Sequence, residues 1–221
     1  MIRVLVVDDH PIVRQGFAQL VSAEPDIVVC GQAADARGAL EELASAPDVI
    51  IVDVSLGASN GIDLTRDIKE RLPRAAVLVV SMHDELLYAE RALRAGASGY
   101  VMKHEATDAI VRAIRTVAAG GMFVSEPVSM RLMQIWVANG APRDGSPLDA
   151  LSDRELQVLE LMGRGLGTRE IAELLHISIK TVESYRARLK EKMNLRSGIE
   201  LMRFAIRWAA DDHKRDPDDE R

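Results

Sequence analysis

The chain has 221 residues and a single cysteine, Cys30. A lone cysteine cannot form an intrachain disulfide, which fits a reducing compartment. Cys30 closes the apolar run Ile27-Val28-Val29-Cys30 and reads as a small buried hydrophobe. Long apolar runs are also missing. No stretch approaches the roughly 18 residues of a membrane span. The run Val4-Leu5-Val6-Val7 meets Asp8 and Asp9 too early for a secretory signal. A cytoplasmic protein with no membrane partner is expected. The third shortage is positive charge. With 28 Lys and Arg against 34 Asp and Glu, the formal net charge is −6. An acidic chain argues mildly against a nucleic-acid partner, so the local pattern must decide. Residues 1–121 hold 12 basic and 17 acidic side chains, and 122–147 hold 2 of each. Residues 148–210 hold 11 basic and 9 acidic, a net of +2, whereas 211–221 hold 3 and 6. Only the third segment leans toward a polyanion.

Five short apolar runs stand in the first half, at 2–7, 27–30, 49–54, 76–80 and 99–102. They are rich in Val and Ile and do not alternate with polar residues, as strands buried on both faces read. Helical patterns fall between them, at 11–22, 35–46, 61–72, 85–95 and 107–119. This alternation predicts a doubly wound, flavodoxin-like α/β fold with a five-stranded parallel sheet. Such folds bind ligands beyond the carboxyl ends of their strands.

Polar residues collect at those ends. Asp8 and Asp9 end the first strand, Asp53 the third and Ser81 the fourth, and Lys103 follows the fifth. In a flavodoxin-like order the first, third and fourth strands are neighbours, so these side chains converge. Carboxylates gathered at one point repel each other, and a divalent cation with oxygen ligands, best Mg²⁺, relieves the repulsion. A carboxylate beside Mg²⁺, a hydroxyl and a lysine can accept a phosphoryl group: cation and lysine neutralise the transferred oxygens and Ser81 donates a hydrogen bond. An enzyme with Asp53 as covalent nucleophile is the rival reading. It needs a second acid to discharge the intermediate and a substrate pocket, and neither is visible. A regulator independent of phosphate is a further alternative, opposed by the intact set of five residues.

These residues resemble the CheY-like receiver domain: Val-Val-Asp8-Asp9-His, Val-Asp53-Val-Ser-Leu with Gly61 eight residues later, Val-Ser81-Met-His-Asp, and Gly-Ala-Ser-Gly-Tyr100-Val-Met-Lys103. The resemblance spans residues 1–121. It implies Asp53 as phosphoacceptor, with Ser81 and Lys103 beside it. It implies Asp8, Asp9, Asp53 and the Ser55 backbone carbonyl as Mg²⁺ ligands. It also implies Ser81 and Tyr100 as a switch, the hydroxyl moving to the phosphoryl group while the ring turns inward. The sequence departs from the family at Gly57, where proline is usual, and glycine predicts a looser loop over 57–61.

Residues 122–147 lose the strand–helix rhythm and read as a linker, with a short helix over 128–137 and loop chemistry at 139–147. Residues 148–210 then read as a small all-α domain of four helices. Ser152-Asp-Arg-Glu155 is a capping box. A second helix is expected over 168–175, a turn at 176–178, and a third helix over 179–193 with Ser178 as N-cap. Two short helices across a tight turn make a helix-turn-helix. On the third helix Ile179, Val182, Leu189 and Met193 share one stripe, whereas Lys180, Ser184, Ala187 and Glu191 face the other way. Residues 179–193 carry five basic and two acidic side chains, net +3. A strip of small residues among basic arms suits the major groove of double-stranded DNA.

The run from Leu151-Ser-Asp-Arg-Glu-Leu to Lys-Thr-Val-Glu-Ser-Tyr-Arg resembles the LuxR-type helix-turn-helix, so the whole chain is similar to NarL/FixJ-type two-component response regulators. That resemblance implies base contacts near Glu183, Ser184 and Ala187. It implies backbone contacts from Lys180, Thr181, Arg188 and the basic helix end, Lys190 and Lys192. Arg186 points nearer the core stripe. His176 occupies a turn position usually held by glycine, and histidine tolerates φ > 0 better than most residues. A fourth helix, 196–210, carries Ile199, Met202, Ala205, Ile206 and Ala209, with Leu201 and Trp208 alongside. This stripe packs the core or joins a second copy. The expected tail, 211–221, is unstructured. Taken together, the resemblance implies a transcription regulator rather than an enzyme. Its implied partners are a sensor histidine kinase, promoter DNA and a second copy of itself, with RNA polymerase a further candidate.

Overall fold

The computed structural model describes residues 1–105, 107–137, 148 and 150–213, and the chain divides into two compact units, Met1–Ala141 and Pro142–Arg221. In the first unit, β1 (Ile2–Val7), β2 (Ile27–Ala33), β3 (Val49–Asp53), β6 (Ala76–Ser81) and β7 (Gly99–Met102) form a five-stranded sheet in the order β2-β1-β3-β6-β7. Every pairing is parallel. The expected flavodoxin-like sheet is therefore present, with the first, third and fourth of its strands adjacent. β2 runs three residues further than expected, because Gly31-Gln32-Ala33 continue the ladder beside Leu5-Val6-Val7 beyond a register shift. Two short strands, β4 (Ser55–Leu56) and β5 (Ser59–Asn60), form a separate antiparallel hairpin. Four residues are too few to show periodicity, and the sequence reading missed them.

Successive strand residues face opposite sides of the sheet. Val4, Val6, Val49, Ile51, Leu78 and Val80 pack with Phe17 and Val21 of α1 (Pro11–Ser22) and with Ile110, Ile114 and Val117 of α5 (Thr107–Ala118). The helices α2 (Ala36–Glu42), α3 (Gly61–Arg71) and α4 (Glu85–Arg94) complete the unit, and a 3₁₀ turn at Leu43–Ser45 ends the second helical segment early. The side chains of Asp35, Asn60 and Asp84 accept from backbone amides at the starts of α2, α3 and α4. Each cap satisfies a donor that the helix itself cannot. Cys30 is half-buried rather than buried, and its sulfur accepts from Ser45 Oγ at 3.4 Å.

The stretch read as linker is structured over its first part. Phe123 forms a bridge with Gly99, and α6 (Glu126–Val137) packs against α4 within the first unit. The helix begins two residues before the expected one, with Val128 buried. Isolated helical periodicity could not reveal which unit it joins. The loop segment 139–147 lies outside the described residues.

The second unit has α7 (Asp153–Gly163), α8 (Thr168–Leu174), α9 (Ile179–Lys192) and α10 (Gly198–His213). α7 opens on the capping box of Ser152 and Glu155. α8 ends with His176 at φ +51, and the Ile177 amide reaches back to the Ala172 carbonyl at 3.0 Å. That is the left-handed helix stop usually made by glycine. α9 ends the same way, with Asn194 at φ +52. The core is Leu156, Leu159, Met162, Ile171, Val182, Leu189, Leu201 and Ala205. Ile179, expected on the core stripe, is instead 47% exposed. It is the first residue of its helix, at the edge of the packed face. α10 runs to His213, past the expected end at 210, and residues 214–221 of the expected tail lie outside the described residues. Among the described residues no helix is long and apolar enough to cross a membrane.

Candidate functional sites

The sheet topology brings the predicted polar residues together. Strand connections leave in opposite directions from β1 and β3, so a crevice opens at their carboxyl ends. Asp8 follows β1 and is 1% exposed, Asp53 is the last residue of β3 and 3% exposed, and Ser81 ends β6 fully buried. The Lys103 amide donates to the Ser81 carbonyl at 2.8 Å, which sets Lys103 at the end of β7. Its ammonium lies 2.7 Å from Asp53 Oδ2 and 2.8 Å from Asp8 Oδ2.

The electrostatics follow from this packing. Burial raises the Asp53 carboxyl, and the Asp8 charge adds to it; Lys103 pulls the other way, and the balance stands at about 6. Burial works against the Lys103 charge, but Asp53 and Asp8 outweigh it and hold the ammonium above its ordinary value. One lysine thus faces two buried carboxylates, with Asp9 beside them. Asp8 Oδ2 and Asp9 Oδ1 are shielded from solvent and meet no donor at hydrogen-bonding angles. The Lys103 and His10 nitrogens lie near them, at 2.8 and 2.6 Å. Asp8, Asp9, His10 and Asp53 each offer a ligand atom, all within 4.8 Å of one another. Oxygen donors with open lone pairs and surplus negative charge suit a hard divalent cation.

Around this cluster the backbone approaches closely. A Cβ at Gly61 would lie 1.9 Å from the Asp53 carbonyl oxygen, so only glycine fits there. Gly57 has φ +54, and its amide donates to Asp9 Oδ2 at 2.8 Å. The loop expected to be loose is therefore closed as a hairpin turn and tied to the acidic cluster.

One residue given no role by sequence reading stands at the centre of the contacts. His83 Nε2 is 2.9 Å from Ser55 Oγ, and its amide donates to Ser81 Oγ at 3.0 Å. Its carbonyl accepts from the Tyr100 hydroxyl at 2.9 Å, and its ring lies 4.7 Å from that of Tyr88. The Tyr100 ring is buried. His83 was legible only as part of the run Val-Ser-Met-His-Asp, since nothing in its spacing marks a hub.

In the second unit Ser178 caps α9 through the Thr181 amide at 3.0 Å. Lys180, Glu183, Ser184, Ala187 and Arg188 are exposed on its outer face, and Thr181 and Lys190 are half-buried. Lys180, Thr181, Ser184 and Arg188 line a shallow groove of about 350 Å³ with Ser178 and Tyr185. Arg186 turns to the Thr168 hydroxyl at the start of α8, in keeping with its expected inward direction. Lys192 departs from expectation. Its ammonium lies 2.7 Å from the buried Glu155 carboxylate and donates to the Ala150 carbonyl at 3.0 Å. It braces α9 on α7 instead of standing free for a phosphate. Its expected backbone contact rested on the resemblance alone, as part of the basic helix end, and the long side chain folds back. On α10, Leu201 and Ala205 are buried, but Ile199 and Ile206 are 68% and 47% exposed. The apolar stripe therefore splits into a core side and an outward side.

Residues 4–115 match the model of the response regulator receiver domain, and residues 149–205 match that of the bacterial regulatory proteins of the luxR family. The chain belongs to the response regulators. Among its relatives, the oxygen regulatory protein NreC of Staphylococcus carnosus is 34% identical over 210 residues, covering 93% of this chain and 97% of the relative. The transcriptional regulatory protein DegU of Brevibacillus brevis is 34% identical over 208 residues, 88% of each chain. A solved structure of RcsB from Salmonella enterica serovar Typhimurium, bound to a promoter in the presence of the phosphomimetic BeF3⁻, is 27% identical with a TM-score of 0.59. That alignment covers 92% of this chain and 98% of the other. This response regulator thus pairs a receiver with a LuxR-type DNA-binding domain.

Proposed function

We propose that Asp53 accepts a phosphoryl group from a sensor histidine kinase and that this event controls dimerisation and sequence-specific DNA binding by the second unit, in the cytoplasm. Residues 1–121 are the input domain and 148–210 the output. The observation that carries this reading is the buried Asp53 carboxylate held beside Lys103 and Asp8 at the switch point of the sheet. Asp8, Asp9, Asp53 and the Ser55 carbonyl would hold Mg²⁺. When bound, the cation supplies positive charge against the oxygens of the transferred group and keeps Asp53 ionised. An Asp53 oxygen attacks the phosphorus of a phosphohistidine. The P–N bond breaks, the imidazole leaves and takes up a proton, and an acyl phosphate results. Lys103 neutralises a phosphoryl oxygen and Ser81 donates a hydrogen bond to another, while Ser81 and Tyr100 together serve as the switch.

The output reads DNA through Glu183, Ser184 and Ala187, with Lys180, Thr181, Arg188 and Lys190 on the sugar-phosphate backbone. Ile199 and Ile206 of α10 face a second copy on the neighbouring half-site. The test is Asp53→Asn in the full chain. Wild type treated with acetyl phosphate and Mg²⁺ takes one label and binds promoter DNA more tightly. The variant takes none and does not respond. A variant whose DNA binding still rises with phosphodonor as in wild type refutes the proposal. Catalytic turnover of simple phosphate esters would instead favour an enzyme.

A further inference from the structure

Gly57 stands where the resembling receivers carry proline, and the structure gives that substitution a chemical consequence. Proline has no amide hydrogen and fixes φ near −65°. Gly57 has φ +54 and spends its amide hydrogen on Asp9 Oδ2, at 2.8 Å. It occupies the first position of the two-residue turn between β4 and β5, where Ser55 pairs with Asn60 and Leu56 with Ser59. Two-residue hairpin turns need φ > 0 at that position. The same conformation that closes the turn therefore aims the amide at the acidic cluster. With Oδ2 held, the other Asp9 oxygen, Oδ1, lies in the cluster, shielded and without a hydrogen-bond donor. The His10 ring nitrogen lies beside it, at 2.6 Å. The turn is also tied to the acceptor strand, since the Gly61 amide donates to the Val54 carbonyl at 2.8 Å.

We infer that the Gly57 amide is a positioning group for the divalent-cation site: it holds one Asp9 oxygen so that the other is presented to the cation, a task that proline at this position could not perform. This rests on the reading of Asp8, Asp9 and Asp53 as cation ligands. A charge-assisted hydrogen bond that pre-orients a ligand cuts the cost of ordering it on binding. Its loss should weaken cation binding about ten- to hundredfold.

The test uses the full chain and Mn²⁺, whose free aqueous paramagnetic resonance signal falls as it binds. Two variants remove the donor: Gly57→Pro, and a backbone ester in which the Gly57 N–H is replaced by oxygen. The ester keeps glycine's freedom at φ, so it decides the matter if the proline variant fails to fold. Each is measured with Asp9 present and in an Asp9→Ala background. With Asp9 present, both variants are expected to bind Mn²⁺ at least about tenfold more weakly than wild type. In the Asp9→Ala background neither should change binding by more than about twofold. Wild-type affinity in the ester overturns the inference, as does an equal loss in both backgrounds, which would place the effect in the loop at large. If wild-type protein itself takes up no Mn²⁺, the cation reading falls and this inference with it.

Discussion

Replacing Lys192 by alanine separates two roles that the sequence alone could not tell apart. A lysine on a DNA phosphate contributes counterion release, so its loss lowers the slope of log K against log salt by about 0.9. A lysine that neutralises a buried carboxylate contributes to folding instead. Glu155 is 2% exposed; its Oε2 accepts from Lys192 at 2.7 Å and from the Ser152 amide at 2.8 Å. Leaving a deeply buried charge without its partner costs about 3–5 kcal/mol, and a fully exposed pair contributes at most about 1. The Lys192 side chain is 37% exposed, so solvent screens part of the interaction, and about 1–2 kcal/mol is expected. The pH dependence carries a sign. Burial tends to raise the Glu155 carboxyl, but Lys192 and the Ser152 cap outweigh it and hold it below its ordinary value. Its contribution is therefore full above the ordinary carboxylate range and disappears as pH falls through the depressed value. Urea unfolding at pH 7 should show Lys192→Ala destabilised by about 1–2 kcal/mol, with the deficit shrinking under acid. DNA titration against salt should leave its slope unchanged, whereas Lys180→Ala should lower the slope with little loss of stability. A Lys192→Ala protein of wild-type stability whose salt slope drops by about 1 would refute the reasoning.

The remaining predictions concern the first unit and the turn of the second. An Asp53 carboxyl raised from 3.8 to about 6 stabilises the metal-free fold when protonated, and that contribution is lost as pH rises through about 6. At about 1.4 kcal/mol per pH unit, ionised Asp53 costs about 3 kcal/mol, so Asp53→Asn should unfold at higher urea than wild type at pH 8 in EDTA. Equal midpoints there would contradict it. Gly61→Ala would set a Cβ 1.9 Å from the Asp53 carbonyl, so the loop must shift. Loss of phosphodonor labelling is expected, and wild-type labelling would show that the backbone yields freely. His176→Gly should raise the urea midpoint, by about 1 kcal/mol of stability, because histidine sits at φ +51 in the helix stop. An unchanged midpoint would mean the left-handed conformation carries no strain there.

Strand and helix order in this response regulator follow from local pattern. Unbroken Val and Ile runs, caps such as Ser152 and Ser178, and the five polar residues at strand ends are properties of short windows. They were sufficient for the parallel sheet, the convergence of Asp8, Asp53 and Lys103, and the helix-turn-helix. Side-chain direction over long reaches depends on what lies across the fold, up to dozens of residues away in the chain. Lys192 meets Glu155 across two helices, and His83 meets both Ser55 and Tyr100. No window contains either set. The hairpin at 55–60 has strands of two residues each, too short to show a repeating pattern, and Gly57 could be read there only as freedom until a partner appeared for its amide. Sequence by itself determined the long strands and helices and where charge gathers, because burial and capping act on neighbours. Only the tertiary structure decided which polar atom meets which, because those distances are set by packing between elements far apart along the chain.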